Sequence, residues 1–176
     1  YDPVHQIAIM YGWLDDFGWR SDLWRYYVSN NTWLQLFPPP QTPRGVGSTP
    51  LVYDVSAGRH IMAGTNSVTG AFETWAYDAG ANRWINRNPT GDTPPSTQGH
   101  TLTYDRNAHV VILFGGAKDL TLYGDLYEYT YSSNRWVLAV PWEMNKTPNP
   151  RTDHAMVFGP NNLVSILFGG IGDGGA

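Results

Sequence analysis

Cysteine is missing from all 176 residues. That excludes disulfides, thiol catalysis and thiolate-ligated metals. Lysine is scarce: Lys118 and Lys146 stand alone, and the net charge is −4. No basic stripe forms, so nucleic acid is not an expected partner. No apolar run is long enough to cross a bilayer as a helix, and no secretory leader stands at Tyr1. No window sustains a helical period. The 13 prolines and 19 glycines punctuate the chain throughout and argue against long helices.

Catalytic signatures are missing too. Neither Gly-x-Ser-x-Gly nor His-Glu-x-x-His occurs, and Gly45-Val46-Gly47 lacks the Lys-Ser/Thr of a phosphate loop. Asp15-Asp16 are adjacent carboxylates on an expected loop, which sets no acid/base geometry. Gly169-Gly170-Ile171-Gly172-Asp173-Gly174 is a single copy of a glycine pattern that needs many copies to bind calcium. No cofactor and no metal is expected, and the reading leans away from an enzyme.

What the chain does have is a repeat with a period of about 52 residues. Tyr1-Asp2, Tyr53-Asp54 and Tyr104-Asp105 open successive units, and Phe158-Gly159 opens another. A small apolar strand ending in glycine follows: Ala8 to Gly12, Ile61 to Gly64, Val111 to Gly116 and Ser165 to Gly170. Next come aromatic doublets at Trp24/Tyr26, Trp75/Tyr77 and Tyr127/Tyr129. Asn31-Thr32-Trp33, Asn82-Arg83-Trp84 and Asn134-Arg135-Trp136 close the units. Val110–Phe114 and Val164–Phe168 are continuous apolar runs, the pattern of strands buried on both faces. Leu126-Tyr127-Glu128-Tyr129-Thr130 alternates, as a strand nearer an edge does.

This pattern resembles the kelch repeat. The double glycine is intact at Gly115-Gly116 and Gly169-Gly170 and degenerate at Gly12-Trp13 and Gly64-Thr65. The Pro/Arg element stands at Pro43-Arg44 and Pro150-Arg151, while Pro94-Pro95-Ser96 lacks the arginine. The resemblance implies an all-β, kelch-type β-propeller with roughly three four-stranded blades plus the start of a fourth. The expected layout is a single region over 1–176, in units 1–52, 53–103, 104–157 and a partial 158–176. The innermost strands are expected at Val46–Tyr53, Gly99–Tyr104 and Thr152–Phe158. Closed propellers use about four to eight blades. A little over three leaves open edges, so the chain is expected to be a segment of a longer protein or to close a ring with other copies. The kelch-like copper oxidases need a cysteine, so that activity does not carry over.

Periodicity assigns Trp33, Trp84 and Trp136 to packing against the next blade rather than to sugar stacking. Arg44 and Arg151 are repeat-equivalent and predict an inter-blade ion pair or backbone contact. In some kelch domains arginines of that loop face bind acidic peptides. His100 and His154, with Thr49 in the equivalent place, read as hydrogen-bonded repeat residues rather than metal ligands. His5, His60 and His109 read as turn or edge residues.

The non-repeating loops carry the functional expectation. In the propeller that the resemblance implies, Trp13 to Ser21, Thr65 to Phe72 and Ala117 to Gly124 would share one face with Pro141-Trp142-Glu143-Met144. The candidate binding residues there are Trp13, Asp15, Asp16, Trp19, Arg20, Arg44, Tyr123, Trp142, Glu143 and Arg151. Aromatics with a few charges make binding hot spots. The reading is a non-enzymatic protein–protein interaction scaffold, with a protein partner or neighbouring copies or blades as ligand. The alternatives are a carbohydrate-binding or carbohydrate-active propeller using Trp13, Trp19, Tyr123 and Trp142, and a self-assembling structural surface protein. The Asn/Thr/Ser/Trp/Tyr-rich, lysine-poor surface leans toward a secreted or cell-surface location. Asn30-Asn31-Thr32 and Asn145-Lys146-Thr147 are glycosylation triplets on expected loops.

Overall fold

A computed structural model describes residues 1–15, 18–39, 41–44, 49–159, 161 and 163–172, without the side chains of 13–15 and 18–20. The described residues form strands and turns and contain no helix. Blade 1 is β1 (Ile7–Asp15), β2 (Gly18–Tyr27) and β3 (Thr32–Leu36), with Asp2 bridged to Ile7. Blade 2 is the four-stranded sheet β4 (Leu51–Asp54), β5 (Arg59–Thr65), β6 (Phe72–Asp78) and β7 (Arg83–Asn86).

A short β8 (Thr90–Gly91) leads onward and pairs in parallel with the rim strand of blade 3. That blade runs β9 (Thr101–Asp105), β10 (Val110–Phe114), β13 (Leu126–Thr130) and β14 (Arg135–Val140). Between β10 and β13 a small ribbon forms from β11 (Ala117–Lys118) and β12 (Thr121–Leu122). The fourth unit has β15 (Arg151–Thr152) paired with β18 (Ile171–Gly172), and β16 (Ala155–Gly159) paired with β17 (Val164–Phe168).

The landmarks have local causes. The aspartate after each opening tyrosine caps a tight turn. Asp54 Oδ1 accepts from Ala57 N at 3.0 Å, and Asp105 Oδ1 from Asn107 N at 2.8 Å. Such side-chain-to-backbone bonds are what make Asp a turn residue. The asparagine before each tryptophan is left-handed, with φ of 56°, 47° and 50° at Asn31, Asn82 and Asn134. Each accepts the hydroxyl of its blade's tyrosine, at 2.7, 2.9 and 2.8 Å. Asparagine tolerates this backbone region better than most side chains.

The core lies between blades. Trp84 meets Tyr11 of blade 1 edge-on at 4.9 Å and belongs to a cluster with Leu23, Met62 and Tyr77. Trp136 meets Phe72 of blade 2 at 6.0 Å, and its Nε1 donates to Thr74 Oγ1 at 2.9 Å. Both tryptophans are only 1% exposed. The tryptophan therefore packs on the preceding blade and not, as the sequence led us to expect, on the next one. Trp33 keeps its own tyrosine, Tyr26, at 5.0 Å but is 52% exposed.

Four further expectations change. Trp13–Asp15 and Gly18–Ser21 extend the β1–β2 hairpin with pairs Trp13↔Arg20, Leu14↔Trp19 and Asp15↔Gly18, rather than forming a loop. Main-chain pairing continues the ladder past Tyr11 there. The run Val164–Phe168 is not buried on both faces. Phe168 is 81% exposed, because only β16 pairs with that strand among the described residues. The innermost strands are shorter than expected: β4 starts at Leu51, and β9 starts after Gly99 (φ 68°) and His100. Asp153, at φ 55°, splits Thr152–Phe158 into β15 and β16. Finally, His60 is no edge residue: it sits inside β5 at 2% exposure.

Candidate binding face

At one end of the blades the second-to-third-strand connections of blades 2 and 3 meet the segments that lead into the next unit: Thr65 Oγ1 donates to Thr97 O, and Arg151 N donates to Tyr123 O, each at 3.2 Å. Asn66 organises the connection of blade 2. Its Oδ1 accepts from Val68 N and Thr69 N at 2.9 and 3.2 Å, and its Nδ2 donates to Glu73 Oε1 at 2.9 Å. In blade 3 the β11–β12 ribbon turns at Asp119 (φ 54°), and Leu120 is fully exposed at the tip.

The main chain laces these segments together. Gln98 and Ala117 exchange N–H···O bonds of 2.8 Å, Gly116 N donates to Arg151 O at 2.8 Å, and Asp153 N donates to Gly99 O at 2.8 Å. These bonds tie each connection to the segment that enters the neighbouring unit.

The double glycine exists for this lacing. A Cβ on Gly115 would lie 2.6 Å from Arg151 O, and one on Gly116 would lie 2.6 Å from Thr97 Oγ1. His100 and His154 are fasteners of the same kind. His100 Nε2 bonds to Ala63 O of blade 2 at 2.8 Å, and His154 Nε2 bonds to Thr101 Oγ1 of blade 3 at 2.7 Å. Burial lowers the affinity of both rings for a proton, that of His154 to about 4, with Arg151 adding to the effect. Neutral imidazoles suit these hydrogen-bonded positions. Among the described residues no three His, Asp or Glu side chains stand close enough to hold a metal.

Between the laced segments opens a groove of about 690 Å³ lined by Thr65, Gln98, Lys118, Asp119, Thr152 and Asp153, among others. It carries one cation and two carboxylates on backbone fixed by neighbouring strands. A second cleft, of about 740 Å³, lies at the junction of blades 1 and 2, with Arg44, Arg83 and Trp75 on its walls.

The expected residues divide. Tyr123, Trp142, Glu143 and Arg151 come together: Tyr123 O accepts from Arg151 N at 3.2 Å. The Trp142 indole covers Gly124 so closely that a Cβ there would meet its Cδ1 at 2.6 Å. Glu143 holds Lys146 Nζ at 2.5 Å. Arg151 donates to two carbonyls, Asn149 O at 3.0 Å and Gly169 O at 2.9 Å, so it makes backbone contacts rather than an ion pair. Arg44 stands apart, exposed in the second cleft. Trp13, Asp15, Trp19 and Arg20 have backbone in the β1–β2 hairpin, but their side chains lie outside the described residues, as does the whole of Asp16.

The groove residues Gln98, Thr152 and Asp153 escaped the sequence reading. One signal existed: Asp153 stands where the preceding unit has Gly99, and both are left-handed.

The sequence model of the Attractin/LZTR1 beta-propeller matches residues 4–174. The chain is 22% identical over 160 residues to "Multiple epidermal growth factor-like domains protein 8" of Mus musculus, covering 87% of this chain and 6% of that protein. It is 32% identical over 103 residues to "Leucine-zipper-like transcriptional regulator 1 homolog" of Drosophila melanogaster, covering 57% of this chain and 10% of that protein. The chain thus spans a tenth or less of the length of either relative.

Proposed function

The chain belongs to the Attractin/LZTR1 family of kelch-type beta-propellers, and from that premise we propose that it is a non-enzymatic scaffold that binds a protein partner through its loop face. The observation that carries this is the groove between Lys118, Asp119 and Asp153, set on main chain that hydrogen bonds fix from both sides. Its mixed charges fit a polar segment of a partner, and Tyr123 and Trp142 supply apolar contact beside it. A rigid sheet with variable loops needs no chemistry of its own. Sugar stacking finds no support at Trp84 and Trp136, which offer no free ring face; of the repeated tryptophans Trp33 alone is exposed.

The test is a photo-reactive amino acid placed at Leu120 on the loop face, compared with one at Ser133 on a turn at the opposite end of the blade. A defined adduct from position 120, lost when Lys118→Glu and Asp119→Lys are added, supports the reading. Adducts from position 133 alone overturn it.

Exposed Trp33 on blade 1 and Phe168 on the fourth unit favour a second reading, in which neighbouring blades or copies complete the ring. Open sheet faces of this kind invite pairing. Sedimentation that shows a monomer at all concentrations would remove the copies.

A further inference from the structure

Blade 1 departs from its neighbours at two positions of the turn between β2 and β3. Counted from the Asn-x-Trp landmark, Asn30 takes the place of Ala81 and Ser133, and Thr32 takes the place of Arg83 and Arg135. Blades 2 and 3 form the same turn without either residue, so the fold requires neither. Together they complete Asn30-Asn31-Thr32, the acceptor pattern for an N-linked oligosaccharide.

The structure places Asn30 exposed on the turn. Thr32 Oγ1 donates to Asn30 Oδ1 at 2.7 Å. The amide nitrogen Nδ2 is left without a hydrogen bond among the described residues. The adjacent Asn31 is the opposite case: its Oδ1 accepts from Tyr26 OH at 2.7 Å and its backbone is left-handed. The turn also lies at the far end of β2 from the β1–β2 connection, roughly 30 Å away at about 3.3 Å per residue. A large polar group on Asn30 would meet water on the side away from the groove.

We infer that Asn30 Nδ2 is an attachment site for an N-linked oligosaccharide. The donor class is a lipid-diphosphate-linked oligosaccharide. The anomeric C1–O bond to the diphosphate breaks and C1–Nδ2 forms. The lipid diphosphate leaves with the bonding electrons, and the amide nitrogen gives up one proton.

The second triplet, Asn145-Lys146-Thr147, has a different setting. Thr147 Oγ1 donates to Glu143 O at 3.0 Å and accepts from Glu143 N at 3.1 Å, while Lys146 is paired with Glu143. It also stands beside Trp142, on the loop face. It therefore serves as the internal comparison.

The test is secretion of this chain from eukaryotic cells and peptide-level mass spectrometry before and after an N-glycan amidase. The peptide containing Asn30 is expected to carry an oligosaccharide that the amidase removes, leaving aspartate at that position. Asn30→Ala and Thr32→Arg, which install the residues of blade 2, should each abolish the modification and leave the unfolding midpoint of the deglycosylated chain unchanged. A folded, secreted chain with Asn30 unmodified, or modified only at Asn145, overturns the assignment.

Discussion

Trp136 Nε1 donates to Thr74 Oγ1 at 2.9 Å across a blade junction, and this buried bond has no counterpart one blade earlier. There Leu23 occupies the place of Thr74, and Trp84 Nε1 is buried without a partner among the described residues. Thr74→Val should therefore turn the second junction into a copy of the first. It keeps the shape and orphans the indole N–H, at a cost of about 1–3 kcal/mol, while Thr74→Ser keeps the acceptor and costs less. Urea unfolding of the two variants checks this. Equal midpoints would mean that the hydroxyl does nothing for the junction.

The three turn asparagines make a graded series. All share the left-handed backbone and the tyrosine bond, but their reach into the preceding blade differs. Asn134 Nδ2 donates to Arg87 O at 2.7 Å, and Asn82 Nδ2 reaches Phe37 O only at 3.5 Å. Asn31 has no such bond among the described residues. Alanine substitutions should destabilise in the order Asn134, Asn82, Asn31, with Asn134→Ala costing roughly 2–3 kcal/mol from lost bonds and backbone strain together. A glycine at position 134, free of the backbone strain, should recover part of the loss. A flat series in thermal unfolding would refute the inter-blade role.

Glycine positions separate crowding from backbone strain. Gly116 has φ of 99°, and a Cβ there would lie 2.6 Å from Thr97 Oγ1 and 3.0 Å from Gln98 O. Gly169 has φ of 70° and open space around it. Gly116→Ala should cost about 2–4 kcal/mol, and Gly169→Ala about 1 kcal/mol. Equilibrium unfolding of both variants decides, and a larger loss at Gly169 would contradict the crowding argument.

The period of the landmarks carried the fold into view because each landmark does the same local job in blades 2 and 3. Asp54 and Asp105 cap turns, Asn82 and Asn134 set left-handed corners, and Trp84 and Trp136 seal junctions. The candidate binding face was less legible. Tyr123, Trp142, Glu143 and Arg151 could be grouped from the connection they occupy, but Gln98 and Thr152 join the groove only through main-chain pairing between distant segments. Sequence spacing does not report such pairing. The strand extensions Trp13–Asp15 and Gly18–Ser21 were hidden for the same reason: the ladder that makes them strand is not visible in their spacing.

His60 supplies a pH dependence that the repeat does not share. Its place is taken by Ala8, Val111 and Ser165 in the other units, as the registers Tyr53↔His60, Tyr104↔Val111 and Phe158↔Ser165 show for the last two. The ring lies 4.9 Å from Tyr53 and 6.1 Å from Tyr77, with both nitrogens buried and unpartnered among the described residues. Burial pulls its pKa from 6.5 down to about 4. Asp2 works against this, while the Tyr1 amino group, His5 and Arg25 add to it. The folded chain thus refuses a proton that the unfolded chain accepts below about 6.5. Stability is full above that pH and falls as the pH drops toward 4, by on the order of 3 kcal/mol for a shift of this size. His154, also lowered to about 4, adds a loss of the same sign. His60→Val, which installs the blade 3 residue, should remove the His60 share of the slope between pH 6.5 and 4. It should leave stability at pH 7 equal or higher, because two orphaned nitrogens disappear. Urea midpoints measured at pH 4.5 and 7 for both proteins test it. An unchanged pH slope in the variant would show that His60 is not the buried base the structure makes it.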